Sequence, residues 1–346
     1  MNKTPHLLGR RFSKEFMLNR RKVRSPKWTP CNLQTASHEA CPICRATDAK
    51  LIAEVDRVGF PSDTVICDQC GFVFNDSYIA DPAKFYRQEW ASERWVEPEE
   101  SFRRRSAADS YAWKRLAFLV QTLGKEAYDR IETVLEVGCG DGCNLLPHHL
   151  VGKQVTGCDF DDRFLQPGCN RGMELLQGDI NAVAPERGYD LVMLIHSYEH
   201  VIDLQDTIEQ VRLRLNEGGM VYVEVPGLLN WNRTRTQSQR DMGLESSNNF
   251  LNYLQMQHNY NFDLSHLSFL WKQAGFNRIY GDEWVRAVFA GCYDEASGDI
   301  VAGDELWDQQ HSDVLRHLQQ VERDFLSPMN LLCKGIQTVT KKFCNK

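Results

Sequence analysis

Val134-Leu135-Glu136-Val137-Gly138-Cys139-Gly140-Asp141-Gly142 decides the reading of this chain, because an apolar run ends there in three glycines at alternate positions and a helical pattern follows. Glycines at such a turn accept positive φ and let a ligand approach the backbone, at the carboxyl end of a first strand. A dinucleotide fingerprint would need a further glycine at 143, where Cys143 stands. Glu136, shortly before the first glycine, fits poorly with a pyrophosphate and suits a cationic ligand.

Working outward, short apolar runs at 133–137, 154–158, 175–177, 190–195, 220–225, 277–280 and 285–290 read as strands. Helices fit 143–150, 161–171, 201–215 and 265–274, the last closing at Gly275. This alternation predicts the α/β class, a parallel sheet covered on both faces. Asp159 ends the second strand in Thr156-Gly157-Cys158-Asp159, where a carboxylate can accept two hydrogen bonds from vicinal ribose hydroxyls. After the third strand, in Gly178-Asp179-Ile180, the acid can take an adenine amino group while Ile180 packs against the ring. An Asp at a strand end is also an ordinary turn or helix cap. Both acids keep register with the glycine turn, and that combination points to a ligand site.

The stretch from about 131 to 292 resembles the class I S-adenosylmethionine (SAM)-dependent methyltransferases. Glu136 to Gly142 looks like that family's first motif, and Asp159, Asp179 and Tyr189-Asp190-Leu191-Val192-Met193-Leu194-Ile195-His196 look like its later ones. The resemblance implies a Rossmann-like seven-stranded methyltransferase sheet. It also implies SAM with its methionine near Gly138 and Gly140, ribose on Asp159, adenine beside Asp179 and Ile180, and His196 close to the methionyl portion.

Methyl transfer is an in-line displacement, so the protein must align a nucleophile, exclude water and, where needed, remove a proton. His196-Ser197-Tyr198-Glu199-His200-Val201 follows the fourth strand, on the face where ligand sites of such sheets open. His200 is the first candidate base, with Glu199 orienting it or holding the ligand. A bland reading also exists, in which Glu199 favours a helix start and His200 is merely packed. His258, in Gln257-His258-Asn259-Tyr260-Asn261-Phe262 ahead of the helix at 265–274, is a second candidate acid, base or substrate ligand.

Cys41-Pro42-Ile43-Cys44 and Cys67-Asp68-Gln69-Cys70 form two thiolate pairs a short stretch apart. Four sulfurs at this spacing satisfy tetrahedral Zn²⁺ and leave no open position, so the site is expected to be structural; iron is the minor alternative. Residues 41 to 78 also resemble the zinc modules of bacterial methyltransferases of deoxysugar, polysaccharide and secondary-metabolite pathways, including sugar C-methyltransferases. The matching text is Cys41 to Cys44, Asp56-Arg57-Val58-Gly59-Phe60-Pro61 and Val65-Ile66-Cys67 to Cys70-Gly71-Phe72-Val73-Phe74. The resemblance implies a module lying over the active-site opening and shaping the acceptor pocket, with Tyr86 within reach of substrate. Sugar C-methyltransferases carry a further large C-terminal α/β domain, which the segment after 292 does not match, so O- or N-methylation stands equally open.

The expected organisation is therefore a basic arm at 1–40, the zinc-binding module at 41–78, a helical connector at 79–130, the SAM-dependent methyltransferase domain at 131–292 and a helical extension at 293–346. Phe102, Tyr111, Trp113, Leu116, Phe118, Leu119 and Leu123 fall at helical spacing in the connector. In the extension, Leu315, Leu318, Val321 and Phe325 share a stripe, and Leu332, Ile336, Val339 and Phe343 a second. The second stripe either docks on the body or lies on an anionic membrane surface.

The chain has 346 residues, 42% hydrophobic, and a formal net charge of −7, while Glu15 is the only acid among the first thirty residues, which carry many Arg and Lys. An acidic body is not built to grip a phosphate backbone. No apolar run nears the roughly 20 residues needed to span a bilayer, and Arg10, Arg11 and Lys14 interrupt any leader-like core, so the expectation is cytoplasmic. The expected activity is methyl transfer from SAM to a small-molecule or carbohydrate acceptor. Two readings compete: an RNA methyltransferase with zinc-assisted recognition, favoured by the basic arm, and a non-catalytic SAM-binding protein. His196-Ser197-Tyr198-Glu199 lacks the Asn/Asp-Pro-Pro-Tyr pattern of methyltransferases acting on base amino groups.

Overall fold

The computed structural model describes residues 2–4, 33–56, 60–90, 97–230, 250, 253–291 and 304–325. The rest of the basic arm and the stripe at 332–343 lie outside the described residues. Three short strands, β1 (Asn2–Thr4), β2 (Thr35–Ser37) and β6 (Ser77–Ile79), flank a meander of β3 (Asp48–Val55), β4 (Pro61–Cys67) and β5 (Val73–Asn75). Helices α1 (Pro98–Arg105), α2 (Tyr111–Leu123) and α3 (Lys125–Asp129) follow.

The larger body comprises β7 (Thr133–Val137), β8 (Gln154–Asp159), β9 (Glu174–Gln177), β10 (Tyr189–Ile195), β11 (Leu215–Glu224), β13 (Phe276–Asp282) and β14 (Arg286–Gly291). These pair in the order β13-β14-β11-β10-β7-β8-β9. Strand β14 runs antiparallel to both its neighbours, and the β11-β10-β7-β8-β9 pairings are parallel. Central β7 and β10 are almost wholly buried and apolar, as a sheet covered on both faces requires. Helices α4 (Leu146–Leu150), α5 (Asp162–Cys169), α6 (Leu204–Arg212) and α7 (Leu264–Gln273) alternate with the strands. Asp203 caps α6 by accepting from the Gln205 and Asp206 amides, and Asp263 caps α7 through Ser265 and His266. Gly275, at φ +84°, stops α7.

The cysteine-bearing meander does not close on itself. A two-residue strand, β12 (Tyr260–Asn261), leaves the body and pairs antiparallel with β5, so the body and the meander share one sheet. Phe72, Phe74, Tyr260 and Phe262 pack ring against ring across that junction. The last described helix, α8 (Asp304–Phe325), buries Val314, Leu318 and Val321 against Ile52, Ile66, Val73, Tyr253 and Leu254. Burial of three such side chains contributes about 1.5–3 kcal/mol each. Leu315, expected on the same stripe, is only partly buried, because Val314 takes the inward position. Gly71 is required beneath this helix: at φ +80°, a Cβ there would stand 2.5 Å from the His311 Cα.

Among the described residues, no helix is long and apolar enough to cross a membrane.

Candidate active site

A cavity of about 640 Å³ opens at the carboxyl ends of β7, β8 and β10. Its wall includes Gly138, Gly140, Asp159, Asp179, Ile180, His196, His200 and His258, so one space collects these separately expected residues. Gly138 shows why glycine is needed, since it sits at φ +76° with an added Cβ only 2.6 Å from the Ser197 Cβ. The loop can therefore lie against the turn after β10.

Asp159 is tied into the loop itself. Its Oδ2 accepts from the Gly140 amide at 2.8 Å and its Oδ1 from the Asp161 amide at 3.1 Å. Asp179 accepts from the Asn181 amide at 2.9 Å, the local cap that such an acid commonly makes, while remaining exposed beside the buried Ile180. Glu136 and Glu199 are placed behind the wall rather than in it, each at most 1% exposed.

Glu136 lies under the glycine loop, where one oxygen accepts from the Asn144 amide group at 2.7 Å and the other has no hydrogen-bond partner. Asn144 does face the cavity. Burial raises the Glu136 pKa to about 8, against the pull of Asn144, Arg105 and Arg115. A raised carboxyl pKa means that the folded protein holds a proton the unfolded chain has released, so native stability falls as pH rises from about 4.5 to 8. The loss approaches about 1.4 kcal/mol per pH unit within that window. Glu136→Gln should flatten this slope, which is checked by thermal unfolding of both proteins from pH 6 to 9 without SAM.

At the other end of the cavity, His196 stands at the end of β10 in a left-handed conformation, φ +52°, which a non-glycine residue adopts at a cost of about 1–3 kcal/mol. The kink aims the following turn back at the cavity. Glu199 Oε1 there lies 3.6 Å from His196 Nδ1 and 3.7 Å from His200 Nε2. Burial raises the Glu199 pKa, but His200, His196 and His258 outweigh it and hold the group at about 2. For His196 desolvation works downward, and Glu199 and Glu224 bring it up to about 9. His200 Nδ1 donates to the Gln257 carbonyl at 2.8 Å, and the Tyr86 hydroxyl is 3.1 Å from the same nitrogen. The His200 and His258 rings meet edge to face with centroids 4.8 Å apart.

The segment that follows the meander supplies one wall. Tyr86, on a short π-helix (Phe85–Trp90), stacks on Phe160 with centroids 6.2 Å apart, and both line the cavity. The buried Asn75 amide group lies within 3.2 Å of the carbonyls of Gln255, Met256 and His258, fixing the segment that carries His258. Cys41, Cys44, Cys67 and Cys70 converge, with Sγ–Sγ distances of 3.6 Å (Cys41–Cys70) and 3.5 Å (Cys44–Cys67). These are too long for disulfides, whose sulfurs lie about 2.05 Å apart, and close to the edge of a tetrahedron of thiolates about 2.3 Å from one ion. The set could hold a metal.

Arg105, Arg115, Asn144 and Glu224 were not singled out by the sequence reading. Arg115 makes a bidentate pair with Glu224, at 2.8 and 2.7 Å, and donates to Asn144 at 3.0 Å. Burial alone would raise the Glu224 pKa, but Arg115 and His196 hold it well below the carboxylate range. Arg105 pairs with the buried Asp141 at 3.2 Å. Glu224 ends β11, and that strand-end position, which drew attention to Asp159, could have found it. Nothing local marks Arg115, because its partner is 109 residues away.

A seven-stranded sheet of this order, with a glycine loop and an acid-lined cavity at its carboxyl ends, is the class I SAM-dependent methyltransferase fold. A family model described as a methyltransferase domain matches residues 102–280, over half of the chain, and the chain belongs to that family. Among curated proteins, it is similar to the ubiquinone biosynthesis O-methyltransferase of Bordetella bronchiseptica, 30% identical over 137 residues, which cover 37% of this chain and 54% of that protein. The enzyme of the same name from Nitrosomonas europaea is 26% identical over 156 residues, covering 43% and 64%. The chain thus spans little more than half the length of the Bordetella relative. Among solved structures, it is similar to SAM-bound CalS10, an amino pentose methyltransferase from Micromonospora echinaspora: 19% identity, 35% of this chain, 53% of that one, TM-score 0.31.

Proposed function

We propose that this protein transfers a methyl group from SAM to a small-molecule or carbohydrate acceptor. The observation that carries the reading is the single cavity joining the glycine loop, Asp159 and Ile180 at one end to His200 and His258 at the other. SAM supplies the activated methyl group. Gly138 and Gly140 give its methionine room, Asp159 takes the ribose hydroxyls, and Asp179 and Ile180 take the adenine. The amide-fixed carboxylate of Asp159 and the cradle at Gly138 fit that ligand. His196 borders the methionyl portion. His200 and His258 form the acceptor end and handle the acceptor's proton, with Glu199 behind the wall orienting His200, while Tyr86 and Phe160 wall it from water.

Gln255, Gln257, Asn181 and Thr207 line the cavity and can bond a hydroxyl-rich acceptor. The names of the curated relatives make a hydroxyl oxygen the first atom to test. Arg105 and Arg115 are engaged by Asp141 and Glu224, which argues against a phosphate-backbone groove at this opening. The four cysteines hold Zn²⁺ in a structural role, and the module they organise acts on the acceptor wall through Asn75, which holds the segment carrying His258.

The test is incubation with methyl-labelled SAM and a panel of nucleotide sugars, glycans and RNA. Label on a sugar or other small hydroxylated acceptor supports the proposal; label on RNA alone, or none on any acceptor, overturns it. Asp159→Ala should weaken SAM binding by about 10- to 100-fold, the loss of two charge-assisted hydrogen bonds, as measured by titration calorimetry.

A further inference from the structure

We propose that Glu199, His200 and His258 form a second metal site, which takes a divalent first-row transition cation through one carboxylate and two imidazoles. Their ligand atoms all lie within 4.8 Å of one another, and Glu199 and His258 are buried. Three features of the geometry favour an ion over a set of direct hydrogen bonds.

Both Glu199 oxygens are buried without a hydrogen-bond partner, although the residue is 1% exposed. A buried carboxylate left in that state is costly, and native proteins rarely tolerate it. His200 Nε2 stands 3.7 Å from Glu199 Oε1, and His196 Nδ1, outside the proposed ligand set, stands at 3.6 Å. Those distances exceed the roughly 2.7–3.2 Å of an N–H···O bond. The His200 spacing is close to that of two ligands on one ion, since donors bound at about 2.0–2.2 Å around a tetrahedral centre lie roughly 3.4 Å apart.

The tautomer of His200 adds a second argument. A carbonyl can only accept, so the 2.8 Å contact with Gln257 puts the proton of a neutral ring on Nδ1 and leaves a lone pair on Nε2. That lone pair faces a carboxylate oxygen 3.7 Å away. Two electron-rich atoms so placed repel each other, and a cation bound between them relieves that repulsion. An imidazole that donates its other N–H to a backbone carbonyl is the arrangement found around metal-bound histidines.

The third feature is access. His200 and His258 border the cavity and three protein donors leave coordination positions open, whereas the four-cysteine set is closed. An ion here favours the ionised form of an acceptor hydroxyl, with His200 as its ligand instead of as a base. That consequence rests on the methyl-transfer reading, but binding of the ion does not.

The test therefore reads binding, on the full chain, with the four-cysteine site zinc-loaded and loosely held metal removed by a weak chelator. Mn²⁺ is titrated while the paramagnetic resonance signal of the free ion is followed, and Zn²⁺ is titrated in competition with a chromophoric chelator. Wild type should take one equivalent of at least one of these ions beyond the four-cysteine zinc. Glu199→Gln and His258→Gln should each weaken that uptake by at least about tenfold while SAM affinity stays within about threefold. Should one variant fail to fold, the other decides. Absence of extra uptake of both ions by wild type, or equal uptake in the variants, overturns the site and leaves the cluster as a proton-handling group. Metal uptake without SAM binding would retain the site and overturn the methyltransferase proposal.

Discussion

Replacing His200 by alanine is expected to lower the rate of methyl transfer by about 10²- to 10⁴-fold while leaving SAM affinity within about threefold. His200 sits at the proposed acceptor end of the cavity, beyond the turn at His196, and among the described residues none of its hydrogen bonds runs to the glycine loop or to Asp159. Its loss removes the group positioned by Gln257 and Tyr86, whether that group acts on a proton or through an ion. The same change leaves the buried Glu199 with one polar neighbour fewer, so the variant should also be less stable. Rates are therefore compared well below its unfolding temperature, with SAM affinity from calorimetry. A parallel loss of SAM affinity would place His200 on the cofactor side and contradict the division of the cavity.

With zinc held by Cys41, Cys44, Cys67 and Cys70 as proposed, stripping it should produce the largest stability change. Structural zinc contributes on the order of 10 kcal/mol to the folding of small modules, and three parts of this protein lean on the site. Helix α8 crosses Gly71, the residue after the second cysteine pair. His266 of α7, fixed by Asp263, contacts the Cys70 carbonyl at 3.0 Å. Asn75, at the end of the meander, holds the carbonyls of the His258 segment. A strong chelator, or Cys70→Ser, should lower the unfolding temperature by about 10 °C or more and abolish transfer. The seven-stranded sheet should persist, visible as retained SAM binding below the transition. An unchanged unfolding temperature after demonstrated metal loss would mean that the meander folds through its aromatic core alone.

What could be read in the sequence was local. The glycine turn declares itself because the apolar strand, the glycines and the strand-end acids fall within about fifty consecutive residues, and short-range backbone geometry dictates their types. The cysteine pairs are legible for the same reason. Contacts made across long stretches of chain were not: Tyr86 reaches His200 over 114 residues, and Arg115 reaches Glu224 over 109. Neither pairing leaves a periodic trace. The two-residue strand β12 is too short to carry a pattern, yet it joins the meander to the body. Helix α8 was visible as an apolar stripe, but the stripe could not say that it would cover the turn at Gly71. Asp179 both caps its own turn and lines the cavity, so its strand-end position alone does not separate a cap from a ligand contact.

The central claim is that the cavity binds SAM, and native mass spectrometry of the full chain with and without SAM tests it most directly. The account predicts a mass increase of one SAM per folded chain, lost or sharply reduced in Asp159→Ala. A folded wild-type protein that acquires no SAM, or an Asp159→Ala variant that acquires it equally well, would contradict the assignment of the cavity.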